Sequence, residues 1–184
     1  MKKILFLIFL FNTFFSFSQD CLGINININE NYAYTNNLEK LEIPFNQNWK
    51  VYLENEAAVL VMLKNDSGEA MMGIMKNKNG YYLSSAHQID SNLVLQLVQK
   101  MTGRLDSRIL SNVRLKNIPA KQIEYDYSVQ NLSDSYSMSG IMYMIIKGSY
   151  TYVFMLNCQR ELKNCYIPFF KNIIKNTYFG PDWY

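Results

Sequence analysis

Residues 138–146 read MSGIMYMII and residues 150–156 read YTYVFML, and these two stretches decide the fold. In the first, Met142, Met144 and Ile146 alternate with Ile141, Tyr143 and Ile145, so both faces of an extended strand are apolar. In the second, Tyr150, Tyr152, Phe154 and Leu156 oppose Val153 and Met155. Gly148 and Ser149 supply the short turn between them. Neighbouring strands that are apolar on both sides imply a sheet covered on both faces, and helices are the available covers.

Two helices fit that role. Leu93, Val94, Leu97, Val98 and Met101 share one face of a 3.6-residue period, with Asp90 or Ser91 as N-cap and Gly103 as the stop. Near the C-terminus, Tyr166, Phe169, Phe170, Ile173 and Ile174 recur at helical spacing. Pro168 is tolerated only early in a helix, so this one is predicted to start near Asn164. The tail from Thr177 to Tyr184 reads as extended.

Further strands lie outside the central pair. Residues 41–43 and 49–53 read as short strands, the first ending at Pro44. Residues 57–63 and 70–75 form a hairpin around Asn65-Asp66-Ser67-Gly68. Ile123, Tyr125 and Tyr127 alternate with Glu124 and Asp126, which gives a strand with one wet face. Ile24, Ile26 and Ile28 alternate with asparagines, a pattern that suits either an edge strand or an Asn-rich linker. The expected fold class is α/β (α+β), an α/β/α sandwich with an antiparallel sheet of about six strands.

The N-terminus reads as an export leader. Lys2 and Lys3 precede an apolar run over residues 4–11, extended by Phe14, Phe15 and Phe17. Ser16 and Ser18 are small residues suited to cleavage after Ser18. The run is broken at Asn12 and Thr13, short of the ~20 residues a membrane span needs. If left in place, residues 3–15 are expected to be helical and apart from the core. Cys21 could carry a lipid, but Asp20 before it is a poor fit. The resulting organisation is a signal peptide at 1–18, a linker or edge strand at 19–40, a domain at 41–179 and a tail at 180–184.

Composition narrows the function. Setting aside Lys2 and Lys3 lowers the formal net charge from +3 to +1, which offers no basic stripe for nucleic acid. One histidine and three cysteines put a multi-His or multi-Cys metal site out of reach. His87 follows Ser84 and Ser85, but neighbours in one loop do not make a nucleophile–base–acid relay. Asp66, Glu69, Glu54 and Glu56 could offer oxygens to Ca²⁺, though a solvated acidic edge explains them. Met71, Met72, Met75, Met138, Met142 and Met144 could bind Cu(I) in an oxidising space, though core filling explains them too. No catalytic residue, metal ligand or cofactor is expected. Tyr32, Tyr34, Tyr81, Tyr82, Tyr136 and Tyr184 fall in predicted loops or ends and suit a partner surface.

The cysteines permit one bridge. Cys158 ends the last central strand and Cys165 opens the terminal helix, with a polar six-residue turn expected between them. A Cys158–Cys165 disulfide is therefore predicted. A helix starting at Arg160 would forbid it, and pairing of Cys21 with either cysteine stays open.

The order of elements, together with three local features, is similar to the PsbP-like and DcrB-like family. These features are Ile43-Pro44-Phe45 running to Trp49, Asn117-Ile118-Pro119-Ala120 before the strand at 121–127, and Ile173-Ile174 followed by Tyr178-Phe179. The resemblance spans residues 41–179 and implies a non-catalytic accessory or binding domain. The function expected is that of an exported envelope protein engaging a protein partner, with membrane attachment only if Cys21 is lipidated. The alternative is a carrier of an apolar small molecule held between sheet and helix, and the third class is a hydrolase using His87.

Overall fold

The computed structural model describes residues 21, 24–25, 27–78, 83–102, 104–130 and 135–184. The expected leader helix lies outside these residues, as do Tyr81 and Tyr82. The chain runs β1 (Asn29–Asn36), β2 (Leu41–Phe45), β3 (Trp49–Glu56), β4 (Val59–Asn65) and β5 (Ala70–Lys78). Next come α1 (Ser91–Thr102), β6 (Arg104–Leu115), β7 (Ile118–Gln130), β8 (Ser135–Lys147) and β9 (Tyr150–Gln159). It closes with α2 (Lys163–Asn176) and β10 (Tyr178–Phe179), and short 3-10 turns cover Ala86–Gln88, Arg160–Leu162 and Pro181–Trp183.

Seven strands form one antiparallel sheet in the order β3-β4-β5-β9-β8-β7-β6. That is one more than expected, the added member being β6 at the edge beside β7. Leu41–Phe45 instead enters a separate sheet ordered β1-β2-β10.

The central strands bury both faces as their alternation demands. Ile141, Tyr143, Ile145, Phe154 and Leu156 pack with Phe169, Phe170, Ile173 and Ile174 of α2. Met142, Met144, Val153 and Met155 pack with Val94 and Val98 of α1. Each helix therefore covers its own face of the sheet. Among the described residues no helix is long and apolar enough to cross a membrane.

Local chemistry sets the element ends. The Asp90 carboxylate accepts the Asn92 N–H at 2.9 Å and caps α1. Lys116 and Asn117 both have positive φ, 52° and 83°, which makes the tight two-residue turn between β6 and β7. Pro168 lies inside α2, in its second turn, and the helix begins at Lys163, one residue before the expected start.

Candidate functional site

The predicted disulfide is corrected. Cys165 bonds Cys21, with Cα atoms 5.7 Å apart, and Cys158 is a free, buried thiol. The six residues between Cys158 and Cys165 do not form an open turn. Residues 160–162 wind as a 3-10 turn that runs directly into α2, so the helix carries Cys165 away from the strand end. Burial first, and the nearby Asp126 carboxylate second, push the Cys158 thiol up to about 12.

The described tyrosines of that set do not gather on one surface. Tyr34 is only 5% exposed, so its place in a partner surface is withdrawn. It pairs with Ile43 across the small sheet, and its hydroxyl donates to the Leu60 carbonyl at 3.1 Å. Tyr32 is exposed on β1. Tyr136 and Tyr184 are also exposed, but Tyr136 opens β8 while Tyr184 follows Trp183, which packs on Tyr152 at the other end of the central strands.

His87 is exposed, with Nε2 3.0 Å from the Val113 carbonyl oxygen. Ser85 accepts the backbone N–H of His87 as a cap, so these residues build a turn and no proton relay. Asp66 pairs with Lys50 at 2.7 Å, and Glu69 accepts from Ser67 at 2.6 Å and from Tyr166 at 3.3 Å. Among the described residues no group of three or more His, Cys, Asp or Glu could hold a metal. Met142, Met144 and Met155 are buried under α1, where they fill the core.

Two surface features bear on a candidate site. The first is a polar cleft of about 430 Å³ lined by Ile24, Asn25, Trp49, Asn65, Glu69 and Tyr166, among others. Its wall is held by the Cys21–Cys165 bridge and by Asn46, whose buried amide donates to the carbonyls of Asn25 at 2.7 Å and Asn27 at 3.0 Å. The Asn65 amide donates to the Tyr166 hydroxyl at 2.6 Å, so much of the polar lining is already satisfied internally.

The second feature is the β6 edge of the large sheet and the groove beside it. That groove, about 320 Å³, lies between β6–β7 and the start of α2, with Ile109, Glu124, Asp126, Lys163, Ile167 and Pro168 in its lining. Lys163 meets Asp126 across it at 3.4 Å, and two further ion pairs lie nearby in sequence: Lys171 with Glu124 at 2.6 Å, and Arg160 with Asp106. Burial would raise the Asp126 carboxyl, but hydrogen bonds from Ser139 and Ser107 and the Lys163 charge outweigh it and hold it below the carboxylate range. Ile109 stands on this edge 68% exposed. Sequence reading gave β6 no surface role. Its alternation is blurred by an irregularity between Leu105 and Ser107, so neither face stands out as apolar.

No protein-family model and no curated protein matches the sequence. Solved structures do match. The cyanobacterial PsbP of Synechocystis sp. PCC 6803 aligns with a TM-score of 0.59 at 9% identity, over 86% of this chain and 96% of that one. The fold is PsbP-like. LpqN, involved in cell envelope biogenesis of Mycobacterium tuberculosis, aligns at 0.48 with 17% identity over 77% of this chain and 84% of its own. PA94 of Pseudomonas aeruginosa aligns at 0.41 with 15% identity, over 82% and 97%. The PsbP likeness extends the expected family fold to the arrangement of strands and helices found here. At these identities it speaks to fold alone.

Proposed function

We propose that this chain is an exported, non-enzymatic accessory protein of the cell envelope that engages a protein partner through an edge of its large sheet. The observation that carries this reading is β6, a long edge strand with no neighbour on its outer side among the described residues and with Ile109 exposed along it. Unpaired strand edges are templates for another chain. Export is supported by the leader-like N-terminus and by the Cys21–Cys165 bridge, since disulfides persist outside the reducing cytoplasm. A bridged Cys21 has no sulfur left for a lipid, so the proposed protein carries no lipid at that residue.

The carrier alternative is the weaker reading, although the groove beside α2, about 320 Å³, is large enough for a small ligand. Ile141, Ile145, Leu156 and Ile173 fill one helix–sheet interface, and Val94, Val98 and Met142 fill the other. The groove between sheet and α2 is floored by Glu124 and Asp126, which suits an apolar ligand poorly.

Site-specific photo-crosslinking tests the proposal. A photoreactive phenylalanine analogue replaces Ile109 on β6 or, separately, Tyr52 on the opposite edge strand. In envelope extract, a discrete protein adduct is expected from position 109 and none from position 52. No adduct from either position overturns the reading.

A further inference from the structure

The two edges of the large sheet differ in how usable they are. Each edge strand carries one register shift, and such a bulge twists an edge away from further pairing: on β3 it falls mid-strand, between Val51 and Leu53, and on β6 near the start, between Leu105 and Ser107. On β6 every residue from Ser107 to Leu115 pairs in unbroken register with β7.

Period 2 sorts that regular stretch into two faces. Arg108, Leu110, Asn112 and Arg114 sit opposite Tyr125, Ile123, Lys121 and Pro119 of β7, on the α1 side. Ser107, Ile109 and Ser111 sit opposite Asp126, Glu124 and Gln122, on the α2 side. Arg108 is exposed and makes no ion pair among the described residues. Among the described residues Arg114 reaches only the Asn117 carbonyl, at 3.4 Å. Lys121, one strand in, is buried and donates to the Ile89 carbonyl rather than to a carboxylate. The one acid of β6, Asp106, is taken by Arg160. The α1 side of this edge is therefore positive and uncompensated, while Ile109 offers an apolar contact on the other side.

A second copy of the chain is a poor occupant. Antiparallel self-pairing centred on Ser111 sets Arg108 against Arg114, and pairing centred on Arg108 sets it against itself. Like charges directly opposite are destabilising. Pairing centred on Leu110 would set Arg114 against Asp106, but that acid is taken by Arg160 and lies outside the regular stretch. Complementarity calls for an acidic strand.

We propose that β6 accepts an extended segment of a partner protein as an eighth strand. The segment carries two carboxylates six residues apart, facing Arg108 and Arg114, and apolar residues at the alternate positions that flank Ile109. Backbone bonds to the edge supply affinity and the alternate side chains supply selection. Six is an even spacing and keeps both acids on one face, whereas five would send one of them to the α2 side. This inference rests on the protein-partner reading above and names the partner's chemistry.

The test uses capped nine-residue peptides of valine and threonine and the oxidised full chain, with binding read by fluorescence anisotropy. One peptide has glutamate at positions 2 and 8, a second at positions 2 and 7, and a third has lysine at 2 and 8. The first is expected to bind, more weakly as salt rises. The other two are expected to bind roughly tenfold more weakly or worse. In R108E/R114E the preference should switch to the lysine peptide, with an unchanged circular dichroism spectrum showing that the fold is intact. Equal binding of the two glutamate spacings, no binding at all, or a preference unmoved by R108E/R114E overturns the inference. Crosslinking at position 109 reads partner engagement separately, so the two can fail independently.

Discussion

Glu39 shows how much one buried carboxylate can hold. It lies in the turn between β1 and β2 and is only 8% exposed. Lys76 of β5 donates to it at 2.5 Å, the Tyr152 hydroxyl of β9 donates to it, and Lys147 of β8 lies 4.0 Å away. Its backbone carbonyl accepts the Trp183 indole N–H at 2.8 Å and Lys147 at 3.3 Å. The residue thus fastens the small sheet and the C-terminal tail to the large sheet. Burial pushes the carboxyl up, but the hydrogen bonds from Lys76 and Tyr152 and the lysine charges outweigh it and hold it below the ordinary glutamate range. A group held low when folded contributes stability in full above its unfolded value, about 4.3, and loses it as pH falls through the folded one. Removing one partner of such a group leaves charges buried without a counter-ion. Glu39→Gln is therefore expected to cost about 2 kcal/mol at pH 7. The gap from the native chain should close toward pH 3. Urea unfolding at the two pH values checks this, and a constant gap would rule out the carboxylate as its source.

At the level of elements, the β7–β8 pair depends on a close approach. Gly140 lies opposite Tyr125, and a methyl group on it would come 2.6 Å from the Tyr125 hydroxyl oxygen. The ring cannot swing away freely, because it is buried and its hydroxyl donates to Asn157 at 3.0 Å. Gly140→Ala is expected to cost about 1–3 kcal/mol, as overpacking does. Thermal unfolding reads it, and an unchanged midpoint means that the strands part to make room. Which elements were legible in sequence follows the same physics. β8 and β9 were legible because both of their faces are core, and α1 because Asp90 and its apolar stripe mark its start and its inner side. The alternation of Ile24, Ile26 and Ile28 with asparagines left strand and linker open, and the first described strand begins at Asn29. Asn46 binds the Asn25 and Asn27 carbonyls that a strand ladder would need, and Ile24 and Ile28 pack against the core. Arg160–Leu162 misled because a polar stretch reads as loop, whereas a 3-10 turn needs no apolar stripe to form. The β6 edge was illegible for a further reason: an edge is defined by the strand that is missing beside it, and no residue type encodes that.

Across the whole molecule, the Cys21–Cys165 bridge joins residues 144 positions apart and fixes the N-terminal segment to α2. Closing so long a loop restricts the unfolded chain strongly, and bridges of this kind contribute about 2–4 kcal/mol. Reduction should leave the two helix–sheet cores in place, because neither core includes Cys21. It should nevertheless lower the melting midpoint by roughly 6–10 °C. A C21S/C165S double variant should melt at that lower temperature with or without reductant. Thiol counting tests whether Cys21 is in the bridge. The native chain should not react with an aromatic disulfide reagent, since Cys158 is fully buried and its thiol, pushed up to about 12, holds almost no thiolate at neutral pH. In denaturant without reductant, one thiol should react. A Cys158–Cys165 bridge would instead leave Cys21, which is only half-buried, to react in the native chain. One fast thiol under native conditions would therefore place the bridge at Cys158–Cys165, and none would place Cys21 in it, since Cys158 and Cys165 are both buried.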